Sequence, residues 1–287
     1  LSEISHVFHD RPSEKLRVLG ITGTDGKTST VHFVHQILAA IGESSAFLST
    51  AAREISSGEE PNLVHQSTPE APVVHDHLAA MVRAGKQFAV LESTSHGLSA
   101  RSCRLAHVRY GAAVITTLGH EHLEYHGTFE NYRHDKANLF RALDGSFYAA
   151  AEDFRTDKPD GELPLGAVRD DRVSLLTDGR VVSDCASGAP FGVINGACRD
   201  SRYFAAATTR PVFVYSAGRR ESRSALSAEV TELSATGTGF RLLWGNESAA
   251  ARIPVPGLFN LENAIAAALT VCVAVGRSPH ELVPALS

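Results

Sequence analysis

The segment Gly20-Ile-Thr-Gly-Thr-Asp-Gly-Lys-Thr28 sits between a short apolar run, Arg17–Thr22, and a stretch, Thr28–Ile41, in which Val31, Val34, Ile37, Leu38 and Ile41 recur at helical spacing. A buried strand that turns through glycines into an amphipathic helix aims backbone N–H groups and the positive end of the helix at one point. Such a loop suits phosphate: Lys27 reaches toward the β- and γ-phosphates, and the Thr28 hydroxyl is placed to ligate Mg²⁺. The strict G-x-x-x-x-G-K-[ST] pattern fails because Ile21 holds the first glycine position, leaving the shorter T-G-T-x-G-K-T form. A glycine turn arising by chance would not carry the flanking strand and helix. Gly23, Thr24, Asp25, Gly26, Lys27, Thr28 and Ser29 are therefore the candidate nucleotide-binding residues, with a nucleoside triphosphate as the expected ligand.

The alternation continues. Gly42 closes the first helix, Ala46–Ser49 reads as a strand, and a polar loop runs to about Pro69. Glu70–Ala84 reads as a helix stopped by Gly85, and Gln87–Glu92 and Ala112–Thr117 as buried strands. Thr128–Leu143 reads as a helix with Thr128 at its N-cap and Glu130 in its first turn. The expected fold is α/β: a mostly parallel sheet containing the phosphate loop and flanked by helices, with ligands beyond the carboxyl ends of the strands. The second half differs. Residues 145–190 are weakly patterned, whereas Ala225–Leu233 and Gly239–Trp244, joined by a turn-rich stretch, predict a smaller antiparallel sheet. Asn260–Val275 reads as an alanine-rich helix capped by Asn260 and ended by Gly276.

Composition excludes several classes. A formal net charge of −5 provides no basic footprint for a nucleic-acid backbone. No apolar run approaches the roughly 20 residues that span a bilayer, so no membrane insertion is expected, and the N-terminus lacks the apolar core of a signal peptide. Four scattered cysteines without C-x-x-C pairing argue against a disulfide scaffold or structural zinc. A cytoplasmic protein is the expectation. Among fourteen histidines, His32, His35, His65, His75 and His77 lie at ordinary helix or loop positions.

In a parallel sheet, Thr28, Glu92 at the end of its strand, and His122 after Ala112–Thr117 emerge on one edge. Hydroxyl, carboxylate and imidazole beside a nucleotide suit Mg²⁺ or Mn²⁺ better than zinc; taken singly, each would be an ordinary loop hydrogen-bonder. Lys136 poses another question. It lies four residues from both Tyr132 and Phe140, along the apolar stripe of its helix. An amine there either snorkels to water or, held neutral by burial, reacts with CO₂ to give an anionic carbamate able to bind metal.

The stretches GITGTDGKTST, STPEAP (Ser67–Pro72), LESTSHGL, HEHLEYHGTFENYRHDKANLF (His120–Phe140) and PGLFNLENAIAA (Pro256–Ala267) together resemble the Mur ligase family, in particular its UDP-N-acetylmuramyl-tripeptide synthetases. The resemblance implies the family's central ATP-binding domain and an acyl-phosphate route: the terminal carboxylate of UDP-MurNAc-L-Ala-D-Glu attacks the γ-phosphate, and an amino acid's amine then displaces phosphate. It implies that Lys27 binds ATP and that Thr28, Glu92 and His122 hold two Mg²⁺ ions. It also implies that Lys136, ten residues after His126, is carbamylated and completes the metal ligands. Thr68 and Ser95 correspond to groups that hold the muramyl peptide, and Asn260 and Asn263 lie in the motif that contacts adenine. The substrates implied are UDP-MurNAc-dipeptide and an amino acid, and the state expected is a monomer.

The chain departs from the family pattern in places. Asp25 replaces the more usual asparagine, the expected arginine after SHGL is displaced so that Arg101 and Arg104 are both candidates for the substrate, and Asn195-Gly-Ala-Cys198 lacks the usual acidic pair. The resemblance divides the chain into a linker from an N-terminal UDP-binding domain (1–16), the central domain (17–277) and the start of a linker to a C-terminal domain (278–287), and it implies little activity for the chain alone. Three alternatives remain: a folylpolyglutamate synthetase-like ligase, which SHGL and HLEYHG argue against; a non-catalytic nucleotide-binding module; and a generic ATPase, which would need no lysine at 136.

Overall fold

The computed structural model describes residues 1–56, 58–62, 67–119, 121, 123–145, 173–218 and 224–286. In chain order its elements are α1 (Ser2–Phe8), β1 (Arg17–Thr22), α2 (Lys27–Ala40), β2 (Ser45–Leu48), β3 (Ala52–Glu54), β4 (Glu60–Pro61), α3 (Ala71–Arg83), β5 (Phe88–Glu92), α4 (Ser95–Leu98), β6 (Tyr110–Ile115), α5 (Leu123–His126) and α6 (Phe129–Arg141). There follow β7 (Val173–Ser174), α7 (Gly179–Ala186), β8 (Phe191–Asn195), α8 (Ser201–Ala206), β9 (Val212–Ala217), β10 (Leu226–Ser234), β11 (Gly237–Trp244), β12 (Glu247–Ile253), α9 (Leu258–Val275) and α10 (Pro279–Leu282).

The strands form one sheet in the order β12-β11-β10-β9-β8-β6-β1-β5-β2-β3-β4, with β7 also on β9. From β2 across to β10 all neighbours are parallel. The predicted antiparallel pair exists, gains β12 as a third strand, and continues the main sheet because β10 pairs with β9 in parallel. The central strands are buried along nearly their whole length, as a sheet covered on both faces requires.

Side-chain alternation assigns the two faces. Leu19, Ile21, Phe47, Val90 and Val114 face α2 and α9, whose Val34, Leu38, Ile265 and Leu269 complete that core. Val18, Ala46, Leu48, Ala89 and Ile115 face α3 and α6 with Val74, Leu78, Leu139 and Phe140. At Gly20 the helix lies so close that a Cβ would stand 2.6 Å from both Leu139 and Tyr110. A side chain here would push α6 away from the sheet, and α6 carries Lys136.

The Thr128 N-cap is present: its hydroxyl accepts from the Asn131 N–H at 3.2 Å. Helix α9 differs from expectation. It begins at Leu258 with Gly257 at the N-cap, and Asn260 lies in its first turn, donating to the Pro256 carbonyl at 2.7 Å. By length and composition α9 is apolar enough to cross a membrane, but almost all of its residues from Leu261 to Ala274 are buried inside the protein, as in a core helix.

α1 packs on α3, burying Ser2, Ser5 and His6. His75 of α3 is fully buried there, its ring centroid 5.3 Å from that of His6, and among the described residues the Nδ1 atoms of both rings find no hydrogen-bond partner. Burial first, and His6 second, push the His75 pKa down to about 4. Because the folded value lies below the unfolded value of about 6.5, the unfolded chain binds more protons between them. The contribution to stability is complete above about pH 6.5 and is lost as pH falls toward about 4. Between pH 7 and pH 5 this group alone should cost about 2 kcal/mol. Thermal unfolding at the two pH values should show a drop that His75→Gln makes smaller; equal drops would contradict this.

Candidate active site

The register puts the carboxyl ends of the parallel strands along one edge: Ile21 pairs with Glu92, Leu48 with Leu91, and Thr22 with Ile115. The loop from Gly23 to Gly26 crosses that edge. Its Thr24 N–H donates to the Thr117 carbonyl at 2.8 Å, and Thr116 Oγ1 donates to the Asp25 carbonyl at 2.6 Å, so residues following β6 pin it from beneath. Gly26 has φ +81°, and a Cβ there would lie 2.2 Å from Asn263 Oδ1. Asn263 thus packs directly on the loop, while Asn260 stands one turn earlier on α9. Lys27 opens α2 and folds back, its Nζ donating to the Thr24 carbonyl at 2.6 Å. Thr28 and Ser29 follow in the first turn, half-buried, and Asp25 is exposed.

Glu92 ends β5 buried, with both carboxylate oxygens engaged. Thr28 Oγ1 donates to Oε2 at 2.9 Å, Thr50 N–H donates to Oε2 at 2.8 Å, and Thr50 Oγ1 donates to Oε1 at 2.8 Å. Thr28 and Glu92 therefore meet on one edge as predicted. His122, the third member of that prediction, lies outside the described residues.

Lys136 does not snorkel. It is 2% exposed, its Nζ donates to the Gly23 carbonyl at 2.7 Å, and it lies 4.5 Å from the centre of the Tyr132 ring. Burial, reinforced by the positive charge of Lys27, holds its pKa well below the ordinary lysine value, with Glu121, Glu92 and Asp25 opposing. A lysine in this setting is pressed toward the neutral amine. Tyr132 is fixed in turn by a 2.9 Å hydrogen bond between its hydroxyl and Thr24 Oγ1, and burial raises its own pKa to about 12.

These groups line a cavity of about 400 Å³ whose walls include Gly23, Lys27, Thr28, Thr50, Glu92, Tyr132 and Lys136. Ser67, Thr68, Thr94, Ser95, His96 and Arg104 line the same cavity. Thr68 Oγ1 shares a 2.9 Å hydrogen bond with Thr94 Oγ1. Of the two candidate arginines, Arg104 lines the cavity, donating to the Thr68 carbonyl at 3.0 Å and pairing with Glu70 at 2.6 Å. Arg101 is exposed and donates to the Tyr125 carbonyl at 2.9 Å.

Sequence reasoning missed Thr50 and the polar role of Tyr132. Thr50 follows the end of β2 by two residues, so the strand-end rule that picked Glu92 applies to it equally. The Tyr132 hydroxyl gave no comparable signal, because its partner lies 108 residues away.

The family described as Mur ligase middle domain matches residues 21–155. A UDP-N-acetylmuramyl-tripeptide synthetase of Treponema denticola is 34% identical over 278 residues, covering 94% of this chain and 45% of that protein. A solved UDP-N-acetylmuramoyl-L-alanyl-D-glutamate–2,6-diaminopimelate ligase superposes with a TM-score of 0.72 at 22% identity, covering 99% of this chain and 50% of that one. The folylpolyglutamate synthase of Mycobacterium tuberculosis superposes at 0.65 with 14% identity, covering 99% of this chain and 61% of that one. Both superpositions establish the fold alone. The chain spans about half the length of these relatives or somewhat more. A match to the family's middle domain, and a relative sharing a third of its residues along nearly the whole chain, place it: the chain belongs to the Mur ligase family.

Proposed function

We propose that the chain carries the ATP-binding and acceptor-binding site of an amide-bond ligase of peptidoglycan precursor synthesis, adding an amino acid to UDP-MurNAc-L-Ala-D-Glu through an acyl-phosphate. One observation supports this above others. A single cavity joins phosphate-loop residues, a buried carboxylate, a buried lysine and a polar wall containing Thr68, Ser95 and Arg104. A site for nucleotide hydrolysis alone would need no such second wall.

The donor chemistry fits Mg²⁺. The Glu92 carboxylate with the Thr28 and Thr50 hydroxyls offers hard oxygen ligands. Carbamylated Lys136 and, by family resemblance, His122 would hold a second ion with Glu92. The carbamate fits as well: it forms when a neutral amine adds to CO₂ and releases a proton, and burial beside Lys27 favours that amine. Magnesium bound here would supply positive charge where two anions, γ-phosphate and acceptor carboxylate, must approach.

The chain's own residues do the rest. Lys27, freed from the Thr24 carbonyl, would reach the phosphates, and the N–H groups of the loop and the first turn of α2 would cradle them. Asn260 and Asn263, at the start of α9, are proposed to meet the adenine. Arg104, Thr68 and Ser95 would hold the acceptor so that its carboxylate faces the γ-phosphorus. Positioning and charge neutralisation would carry most of the rate, as expected of phosphoryl transfer. A cytoplasmic monomer that binds no nucleic acid completes the reading.

The test is ADP release by the natural full-length protein, screened across amino acids with UDP-MurNAc-dipeptide as acceptor. Release that needs both the acceptor and one amino acid is the expected outcome. Release with a folate acceptor instead would assign a folylpolyglutamate synthetase-like ligase, and nucleotide binding without any release would assign a non-catalytic module.

A further inference from the structure

Behind the acceptor wall runs a chain of three polar side chains from three different helices, Ser95 and His126 buried and Asp135 half-buried. Ser95, the first residue of α4, lines the cavity and is 1% exposed. Its Oγ lies 3.0 Å from Nε2 of His126, on α5, and the Nδ1 of that imidazole lies 2.7 Å from Oδ2 of Asp135, on α6. The ring is fixed on its faces and edges as well, with the rings of His96 and Tyr132 at centroid distances of 5.4 and 5.3 Å. His126 and Asp135 are not among the cavity-lining residues; Ser95 is.

A serine hydroxyl can rotate among three staggered positions and exchange its hydrogen between partners. One on a cavity wall would ordinarily be set by whatever ligand arrives. Here the imidazole engages Ser95 from behind, and the carboxylate holds the imidazole, so the direction in which Oγ meets a ligand is fixed before binding. Preorganisation of this kind is expected where a small polar group must hold one end of a substrate against a reacting centre.

We infer that His126, anchored by Asp135, is a positioning residue that presents the Ser95 hydroxyl to the acceptor's peptide portion and has no direct part in nucleotide binding. The inference rests on the reading of this wall as the acceptor site and adds to it the residue that sets one of the wall's contacts. It separates two roles along the sequence His126–Lys136. The first residue serves the acceptor; the last serves the phosphate side.

The test uses the full-length protein and a double-mutant cycle. Ser95→Ala and His126→Ala should each raise KM for UDP-MurNAc-dipeptide about tenfold, with KM for ATP changed less than about twofold. The double variant should be no worse than either single one, because His126 acts only through Ser95. His126→Gln, whose side-chain amide offers a donor or an acceptor near the Nε2 position, should recover most of the loss. A hundredfold loss in the double variant, a parallel rise in KM for ATP, or no recovery with glutamine would each overturn the inference in favour of a merely structural imidazole. The contact is also read without activity. In the free protein, Ser95→Ala should shift the His126 imidazole ¹⁵N resonances, and unchanged resonances would overturn the inference whatever the acceptor. A wild-type protein that does not saturate with the muramyl dipeptide would instead overturn the acceptor reading itself, and with it the ligand named here, while the imidazole shifts still decide the contact.

Discussion

Lys136→Ala is expected to lower the rate of ligation about 10²–10³-fold, the loss typical when one charge-stabilising group is removed from a water-poor site. Short carboxylic acids added to the variant should restore part of the rate. The expectation starts from packing: Gly20 lets α6 approach β1, which buries the amine against the Gly23 carbonyl of the phosphate loop. A permanently charged ammonium beside Lys27 would be poorly placed for metal chemistry, whereas the proposed carbamate would supply a negative oxygen there. Alanine leaves a space beside the loop that a small carboxylate can enter. Lys136→Arg should be inactive and should not be rescued, since guanidinium forms no carbamate and fills the space. Steady-state rates with and without acetate check this, and unchanged activity of Lys136→Ala would contradict the assigned role.

Glu92→Ala is expected to fail twice over, in stability and in turnover. The carboxylate accepts three hydrogen bonds in a buried setting, from the Thr28 hydroxyl and from the hydroxyl and N–H of Thr50. Removing it leaves three donors without their acceptor, at a cost of about 2–4 kcal/mol. Turnover should fall about 10²–10³-fold through loss of the proposed cation site. Glu92→Gln separates the two effects. It keeps one acceptor oxygen, so thermal unfolding should lie between the wild type and the alanine variant, while the magnesium concentration needed for half-maximal rate should rise at least tenfold. Wild-type magnesium dependence in Glu92→Gln would remove Glu92 from the cation site.

The parts of this site that were legible in the sequence are those whose signal is local. Strand β1, the glycine loop and helix α2 occupy consecutive residues, and each carries its own pattern: an apolar run, glycines, then helical periodicity. Glu92 followed from its place at the end of an apolar strand, and Thr128 from its place before a helical stripe. Lys136 stood out because an amine interrupts the apolar stripe, although the pattern did not decide between snorkelling and burial; the packing of α6 on Gly20 does. Other features were hidden for physical reasons. Phe191–Asn195 and Val212–Ala217 are apolar runs too short for periodicity to assign. β12 reads as Glu-Ser-Ala-Ala-Ala-Arg-Ile, with no large apolar side chain before its last residue, and sits at the sheet's edge. Asn260 looked like a cap because asparagine favours that position, yet the helix starts two residues earlier, after a glycine with φ +98°. The bonds from Thr50 to Glu92 and from Tyr132 to Thr24 join residues 42 and 108 positions apart, which no window along the chain can see.

All of this depends on the phosphate donor and the acceptor carboxylate meeting in the one cavity bordered by Lys27, Glu92, Lys136 and Ser95. The most direct measurement uses UDP-MurNAc-dipeptide labelled with ¹⁸O in its terminal carboxylate, followed by mass analysis of the phosphate released during ligation. Attack of that carboxylate on the γ-phosphorus, then loss of phosphate to the incoming amine, carries one labelled oxygen into each phosphate. Phosphate whose new oxygen comes only from solvent water would mean that the carboxylate never reaches the nucleotide.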